Sequence, residues 1–195
     1  MSERNNTEKS IKGNKTEKSF LERLTDSKKL KFSEKPQKNR YCTNKHEDAE
    51  YDFYKEPDVV FTLESHQNIE CICEYTISSR EDRMSGKQYQ AELVKAVLKR
   101  QKKGCIYTVV VPDDDYYNDS ENAKTEIANN NRTLKKINEQ LVLINHIDFL
   151  LKESQVEEFF AEVQKCKSQN PTYIIKKMRT WLNNKNNPKP TKTED

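Results

Sequence analysis

The stretch PDVVFTLESHQNIECICEYTI, residues 57–77, decides how the rest of the chain is read. After Pro57 and Asp58, the run Val59, Val60, Phe61 and Leu63 reads as a strand, because branched and aromatic side chains fit a pleated surface. Ser65 to Asn68 is a polar turn, and Ile69 to Ile77 reads as a second strand. Two strands joined by so short a turn predict an antiparallel hairpin. Alternation puts Glu70, Ile72, Glu74 and Thr76 on one face of the second strand. Ile69, Cys71, Cys73, Tyr75 and Ile77 fall on the other, the expected core face. Two carboxylates on one face of such a strand need a reason, since burying an unpaired charge is costly. Either that face is solvated or something cationic rests on it.

Working outward, residues 78–86 read as a polar loop ending in Gly86, and Lys87 to Lys103 as a helix with Leu93, Val94, Val97 and Leu98 on its apolar face. Gly104 stops that helix, and CIYTVVV at 105–111 is a continuous apolar run, as expected of a strand buried on both faces. Pro112 and Asp113 to Asp115 end it. A polar helix over 121–139, anchored by Ile127, Leu134 and Ile137, leads to a second buried strand, LVLINHI at 141–147. Val156, Phe159, Phe160 and Val163 predict an amphipathic helix, and Tyr173, Ile174, Ile175, Met178, Trp181 and Leu182 a last one. Upstream, Phe20, Leu21, Leu24 and Leu30 make a short helical stripe. Residues 33–44 read as a loop around Pro36, and 46–54 is ambiguous. Hairpin, helix, strand, helix, strand, helix predicts an α/β fold, a mixed β-sheet flanked by helices. The domain spans 17–184, between a disordered basic N-terminal tail at 1–16 and a disordered C-terminal tail at 185–195.

A length of 195 residues suits one domain, and 34% charged against 33% hydrophobic residues assigns the two ends to the unfolded part. A net charge of +3 does not by itself indicate a nucleic-acid partner. The Lys-rich ends read as solubilising tails, or as segments that lie along a phosphate backbone. Five cysteines, an odd number without framework spacing, point to reduced thiols and a cytoplasmic setting. No apolar stretch has the length of a membrane span and the N-terminus lacks an apolar signal segment, so no membrane is expected. With 3 glycines, no Gly-rich phosphate loop is present.

The chemistry sits on the hairpin. Folding it brings Asp58 towards the C-terminal part of the second strand, so that Asp58 and Glu74 would hold one hard divalent cation, with the Tyr75 carbonyl as a third oxygen. Glu70, on the same face as Glu74, is the alternative metal ligand. Mg²⁺ suits carboxylate oxygens and keeps several waters, one of which can be activated to attack a phosphodiester.

Pro57-Asp58, a hairpin, then Glu74-Tyr75-Thr76 at the end of an apolar strand resembles the core of the PD-(D/E)xK, restriction endonuclease-like superfamily. The helix and strand that follow continue that pattern, over roughly residues 50–165. The separation of Asp58 and Glu74 resembles that in Fok-type cleavage domains. Thr76, the run Gln101-Lys102-Lys103-Gly104 and Glu157-Glu158-Phe159-Phe160 are similar to Alw-type enzymes and to the small subunits of heterodimeric type IIS restriction enzymes. The resemblance implies Mg²⁺-dependent hydrolysis of double-stranded DNA by Asp58, Glu74, Thr76 and Lys87. It also implies a second specificity or cleavage subunit, or a homodimer. Thr76 stands where the wider family has the Lys that positions water and stabilises charge. Its hydroxyl can hold a water, or the charge can come from the next helix, through Lys87 at its start, with Glu92 and Lys95 further along the same side.

Plainer readings stand beside these. Glu70 and Glu74 also suit a merely solvated strand face on an unrelated α/β regulatory protein. The absent motif Lys suits a non-catalytic nuclease-fold module that binds nucleic acid or a protein partner. Cys71, Cys73 and His66 lack the spacing of a zinc site. Asp113 to Asp115 reads as a strand end, His46 and His146 as a surface and a core histidine, and Tyr173 and Trp181 as core.

Overall fold

The computed structural model describes residues 18–43, 54–76, 81–113 and 146–186. Its centre is the predicted hairpin. β4 (Val59–Leu63) and β5 (Ile69–Tyr75) are buried along their whole length and pair antiparallel, with Val59 opposite Cys73 and Thr62 opposite Glu70. One turn of 3₁₀ helix, Glu64–His66, and Gln67-Asn68 join them. β6 (Gly104–Val111) and β7 (Phe149–Lys152) continue the sheet in parallel, while β1 (Phe32–Gln37) closes the other edge antiparallel to β4. The order is β1-β4-β5-β6-β7, a mixed five-stranded sheet. A separate two-residue pair joins β2 (Tyr41–Cys42) to β3 (Tyr54–Lys55).

Helices cover both faces, which is why β5 has no solvated side. α2 (Glu81–Arg100) crosses from β5 to β6 and lays Met84, Ala91, Val94 and Leu98 on Ile72, Tyr107 and Val109. On the opposite face lie α1, whose described part covers 18–25, α3 (Val156–Gln164) and α4 (Pro171–Asn186). They bring Phe20, Leu24, Phe159, Phe160, Ile174 and Met178 onto Phe61, Cys71, Cys73 and Ile106. Cys71 and Cys73 are fully buried and Cys166 nearly so, whereas Cys42 is exposed. Burial pushes the Cys71 and Cys73 thiols well above their usual range.

Several expectations change. The segment read as a loop around Pro36 contains β1 and β2; β1 is an exposed edge strand with register irregularities, the setting in which a strand tolerates proline. The predicted loop before Lys87 is helical from Glu81, because a lone Gly86 costs only about 1 kcal/mol and the apolar face runs across it from Met84 to Ala91. The left-handed residue past α2 is Lys102, with φ 60°, not Gly104. Gly104 answers to space instead: a Cβ there would stand 2.5 Å from Pro171 Cγ and 3.1 Å from Ile69 Cγ1.

The last strand also starts later than expected. His146 and Ile147 lie outside it, and pairing with β6 begins at Phe149 opposite Thr108. The apolar run continues to Leu151, so hydrophobicity alone did not mark where the ladder starts. His146 is half-buried rather than core, with Nε2 3.9 Å from a Glu92 carboxylate oxygen. Tyr173 is 56% exposed, while Trp181 packs on Phe159 as expected. The predicted helix over 121–139, the strand residues 141–145, residues 46–53 and both tails, apart from residues 185 and 186, lie outside the described residues. Among the described residues no helix is long and apolar enough to cross a membrane.

Candidate active site

Asp58 is the residue before β4, one step beyond the Val59–Cys73 pair, and therefore stands opposite Glu74. Its Oδ2 accepts a 2.8 Å hydrogen bond from the Tyr75 amide, which pins the carboxylate against the end of β5. Glu74 is completely buried on the α2 face. Its Oε2 accepts from the Lys87 ammonium, and its Oε1 accepts from the Gln90 side-chain amide and, at 3.1 Å, from the Tyr107 hydroxyl. The same Lys87 Nζ lies 3.8 Å from Asp58 Oδ2. One ammonium thus faces two carboxylates, one from each arm of the hairpin.

Local sequence explains each placement. Lys87 and Gln90 are three residues apart on α2, one turn, and share a face. Tyr107 enters from β6, whose alternation turns Tyr107 and Val109 towards α2. Burial dominates the electrostatics: it pushes the Glu74 carboxyl up to about 7, and the Asp58 charge adds to that. The Lys87 ammonium and the Tyr107 hydrogen bond act in the opposite direction. The Tyr107 phenol is pushed far above its usual range by burial and by the Glu74 charge, so it stays a hydrogen-bond donor at any physiological pH.

Glu70 has a different neighbourhood. It is 4% exposed, and its carboxylate accepts from the Tyr41 hydroxyl and, at 2.7 Å, from Lys103 Nζ. The residue opposite it on β4 is Thr62, not a carboxylate. The bond to Glu70 raises the Lys103 ammonium, and burial raises the Tyr41 phenol. The cationic cover that two glutamates on one strand face demanded is therefore supplied twice, by Lys87 and by Lys103.

Thr76 is buried and its amide extends the ladder to the Val110 carbonyl, 2.9 Å away. The charge at the carboxylates comes from Lys87 on the helix. Glu92 and Lys95, the residues further along that helix, are turned elsewhere: Glu92 to His146 and Lys95 to Asp148, at 2.7 Å. Gln90 and Tyr107 are the contributors that sequence reasoning missed. Gln90 was accessible by its helical spacing from Lys87; Tyr107 required the strand register.

The donor set fits Mg²⁺. Two carboxylates directed at one shared cation are hard oxygen donors, and Mg²⁺ is ordinarily held by one or two carboxylates with waters and substrate phosphates completing its shell. Among the described residues no group of three or more His, Cys, Asp and Glu side chains that could hold a metal gathers, so waters would make up the rest of the shell. His66 is fully buried, its ring nitrogens bonded to Ser65 Oγ at 2.7 Å and the Ser168 carbonyl at 3.1 Å, and it braces the turn instead of ligating. Asp113 likewise binds the Ser154 amide and hydroxyl. Comparison of the chain with protein-family models, with curated proteins and with solved structures finds no match in any of the three.

Proposed function

We propose that the chain is a Mg²⁺-dependent deoxyribonuclease with a restriction endonuclease-like core, acting as a type II or IIS cleavage subunit on double-stranded DNA. The observation that supports this most is the contact of Lys87 with Glu74 at the end of β5, beside Asp58 from the partner strand. It supplies from the helix the charge that Thr76 lacks. Asp58 and Glu74 would hold the metal, which would supply acidification of a neighbouring water and neutralisation of charge developing on a phosphate oxygen.

The side chains divide the remaining work. Tyr107 and Gln90 occupy Glu74 Oε1 and fix the rotation of the carboxylate, leaving Oε2 towards Lys87. The Tyr75 amide does the same for Asp58. Lys87 would donate to the attacking water or to a non-bridging oxygen as negative charge accumulates. Water oxygen bonds to phosphorus and releases its proton to solvent, the bond from phosphorus to the leaving deoxyribose oxygen breaks, and that oxygen takes a proton from solvent. One such site cuts one strand, so a second copy or a partner subunit is needed for the other.

Supercoiled plasmid in Mg²⁺ or Mn²⁺ tests this, with the protein alone and with candidate partner subunits. Conversion to nicked or linear DNA by the wild type and none by Asp58→Ala is the expected result; intact plasmid throughout would overturn it. Thr76 favours a second reading, a nuclease-fold module that binds nucleic acid or protein without cutting. Calorimetry separates them, since a dead site gives no Mg²⁺ or Mn²⁺ heat that depends on Glu74.

A further inference from the structure

A second concentration of cations lies away from Glu74. Between α2 and α4, beside Gly104 and Cys105 at the start of β6, runs a groove of about 1040 Å³. β7 pairs with β6 only from Thr108 onward, so among the described residues no strand lies next to β6 here. Lys95, Lys99, Lys103, Lys176 and Arg179 line the groove, against Glu92 and Asp148. Asp148 neutralises Lys95, and Glu70 neutralises Lys103. Lys99 and Lys176 are exposed, and neither has an ion-pair partner among the described residues. The Arg179 Nη2 atom is buried with no hydrogen-bond partner among them. Asp148 feels the Arg179 charge, but the buried Nη2 donor itself is left without an acceptor, which is costly and calls for one. What this groove lacks is an anion with several oxygens.

Spacing narrows the choice. Lys95 and Lys99 are eight and twelve residues beyond Lys87 on α2, roughly 12 and 18 Å along the helix. Successive phosphates of one duplex strand advance about 3.4 Å along the axis, so the α2 side of the groove lies roughly three and a half to five steps from Lys87. We propose that this groove binds the phosphate backbone of DNA, with Lys99, Lys176 and Arg179 each meeting a phosphate, the one at Lys99 about five steps from the one at Lys87. The ligand's identity rests on the nuclease reading; the groove and its cations do not.

The test is fluorescence anisotropy of a labelled DNA duplex with the full chain, without divalent metal, over a series of salt concentrations. Substituting Lys99→Gln, Lys176→Gln and Arg179→Gln together should weaken binding at least about tenfold at moderate salt. It should also flatten log affinity against log salt by roughly 2 to 3, about 0.9 for each phosphate no longer neutralised. The Lys99→Gln/Lys176→Gln pair, at exposed positions, gives the same readout with a flattening of roughly 2 if Arg179→Gln prevents folding. An unchanged slope in the variants overturns the proposal. So does loss of inorganic triphosphate binding while duplex affinity stays intact, which would make this a small-anion site. Protein that binds DNA through these residues and never cuts overturns the nuclease reading alone; protein that cuts with an unaltered slope overturns the groove alone.

Discussion

The two ends of β5 present the same pair of residue types and build different things from them. At one end Glu74 meets Lys87, at the other Glu70 meets Lys103; both glutamates are buried on the same face of one strand. What differs is the residue across the hairpin and the remaining partners. Glu74 faces Asp58, a second carboxylate, and burial with that neighbour makes its charge hard to keep. Glu70 faces Thr62 and is capped by Tyr41, so its single charge is met by a single ammonium. Two acids against one base is an arrangement that gains from a further cation; one acid against one base is already balanced.

The largest expected effect separates the two ends directly. Asp58→Ala and Glu74→Gln should each lower single-turnover DNA cleavage by about 10³-fold or more, through loss of the metal's oxygen ligands. Glu70→Gln should change it less than about threefold. The reverse ranking would move the reactive centre to the other end of the strand.

The lysines come next. Removing the ammonium at the carboxylates, Lys87→Ala, should cost roughly 10²-fold in cleavage rate, in the range for loss of one charge-stabilising donor. Lys103→Ala should leave the rate near wild type and instead destabilise the fold by about 1–3 kcal/mol, because it strands a buried carboxylate. Urea denaturation of the two variants checks the contrast, and equal rate losses would break it.

The pH dependence sharpens the comparison further. Metal binds the carboxylate and not the acid, so with Glu74 raised to about 7 the cleavage rate should climb as pH rises through neutrality. More Mg²⁺ should move the midpoint to lower pH. Stability of the metal-free protein should run the other way. Between the usual glutamate pKa, near 4.5, and about 7, folded Glu74 holds a proton that the unfolded chain has released, so stability falls as pH rises through that window. Glu74→Gln should flatten that part of the profile, whereas Glu70→Gln should leave it in place. The smallest effect belongs to Tyr41→Phe, about 1 kcal/mol of stability with cleavage unaltered, measured by thermal or urea unfolding.

Much of this is legible in the sequence alone. Residues 57–77 announce two strands through Val59 to Leu63 and Ile69 to Tyr75, and the short turn brings Asp58 towards the C-terminal part of the second strand with Glu70 and Glu74 both open as its partner; the register sets it opposite Glu74. The place of Lys87 at the start of the next helix, together with the resemblance, then points to it as the cation at the same end. Local pattern failed where the answer depends on a distant partner. Phe32 to Gln37 has no alternation and contains Pro36, yet it is a strand because β4 offers it an edge. Tyr107 and Tyr41 contribute hydroxyls to Glu74 and Glu70 only by virtue of register and sheet pairing. The onset of β7 at Phe149 is fixed by the Asp148 carboxylate, which accepts from the Tyr107 amide at 2.8 Å and from Lys95, interactions no hydrophobic pattern encodes.

The thiols of β5 provide a clock for the molecule. Cys71 and Cys73 are sealed between the two helical layers, while Cys42 lies in the open. An alkylating reagent added to native protein would therefore modify Cys42 at once and reach the central pair only when β5 leaves its neighbours. The lag between the first adduct and those two reads out how often the hairpin opens, and Mg²⁺ bound across its arms would lengthen it.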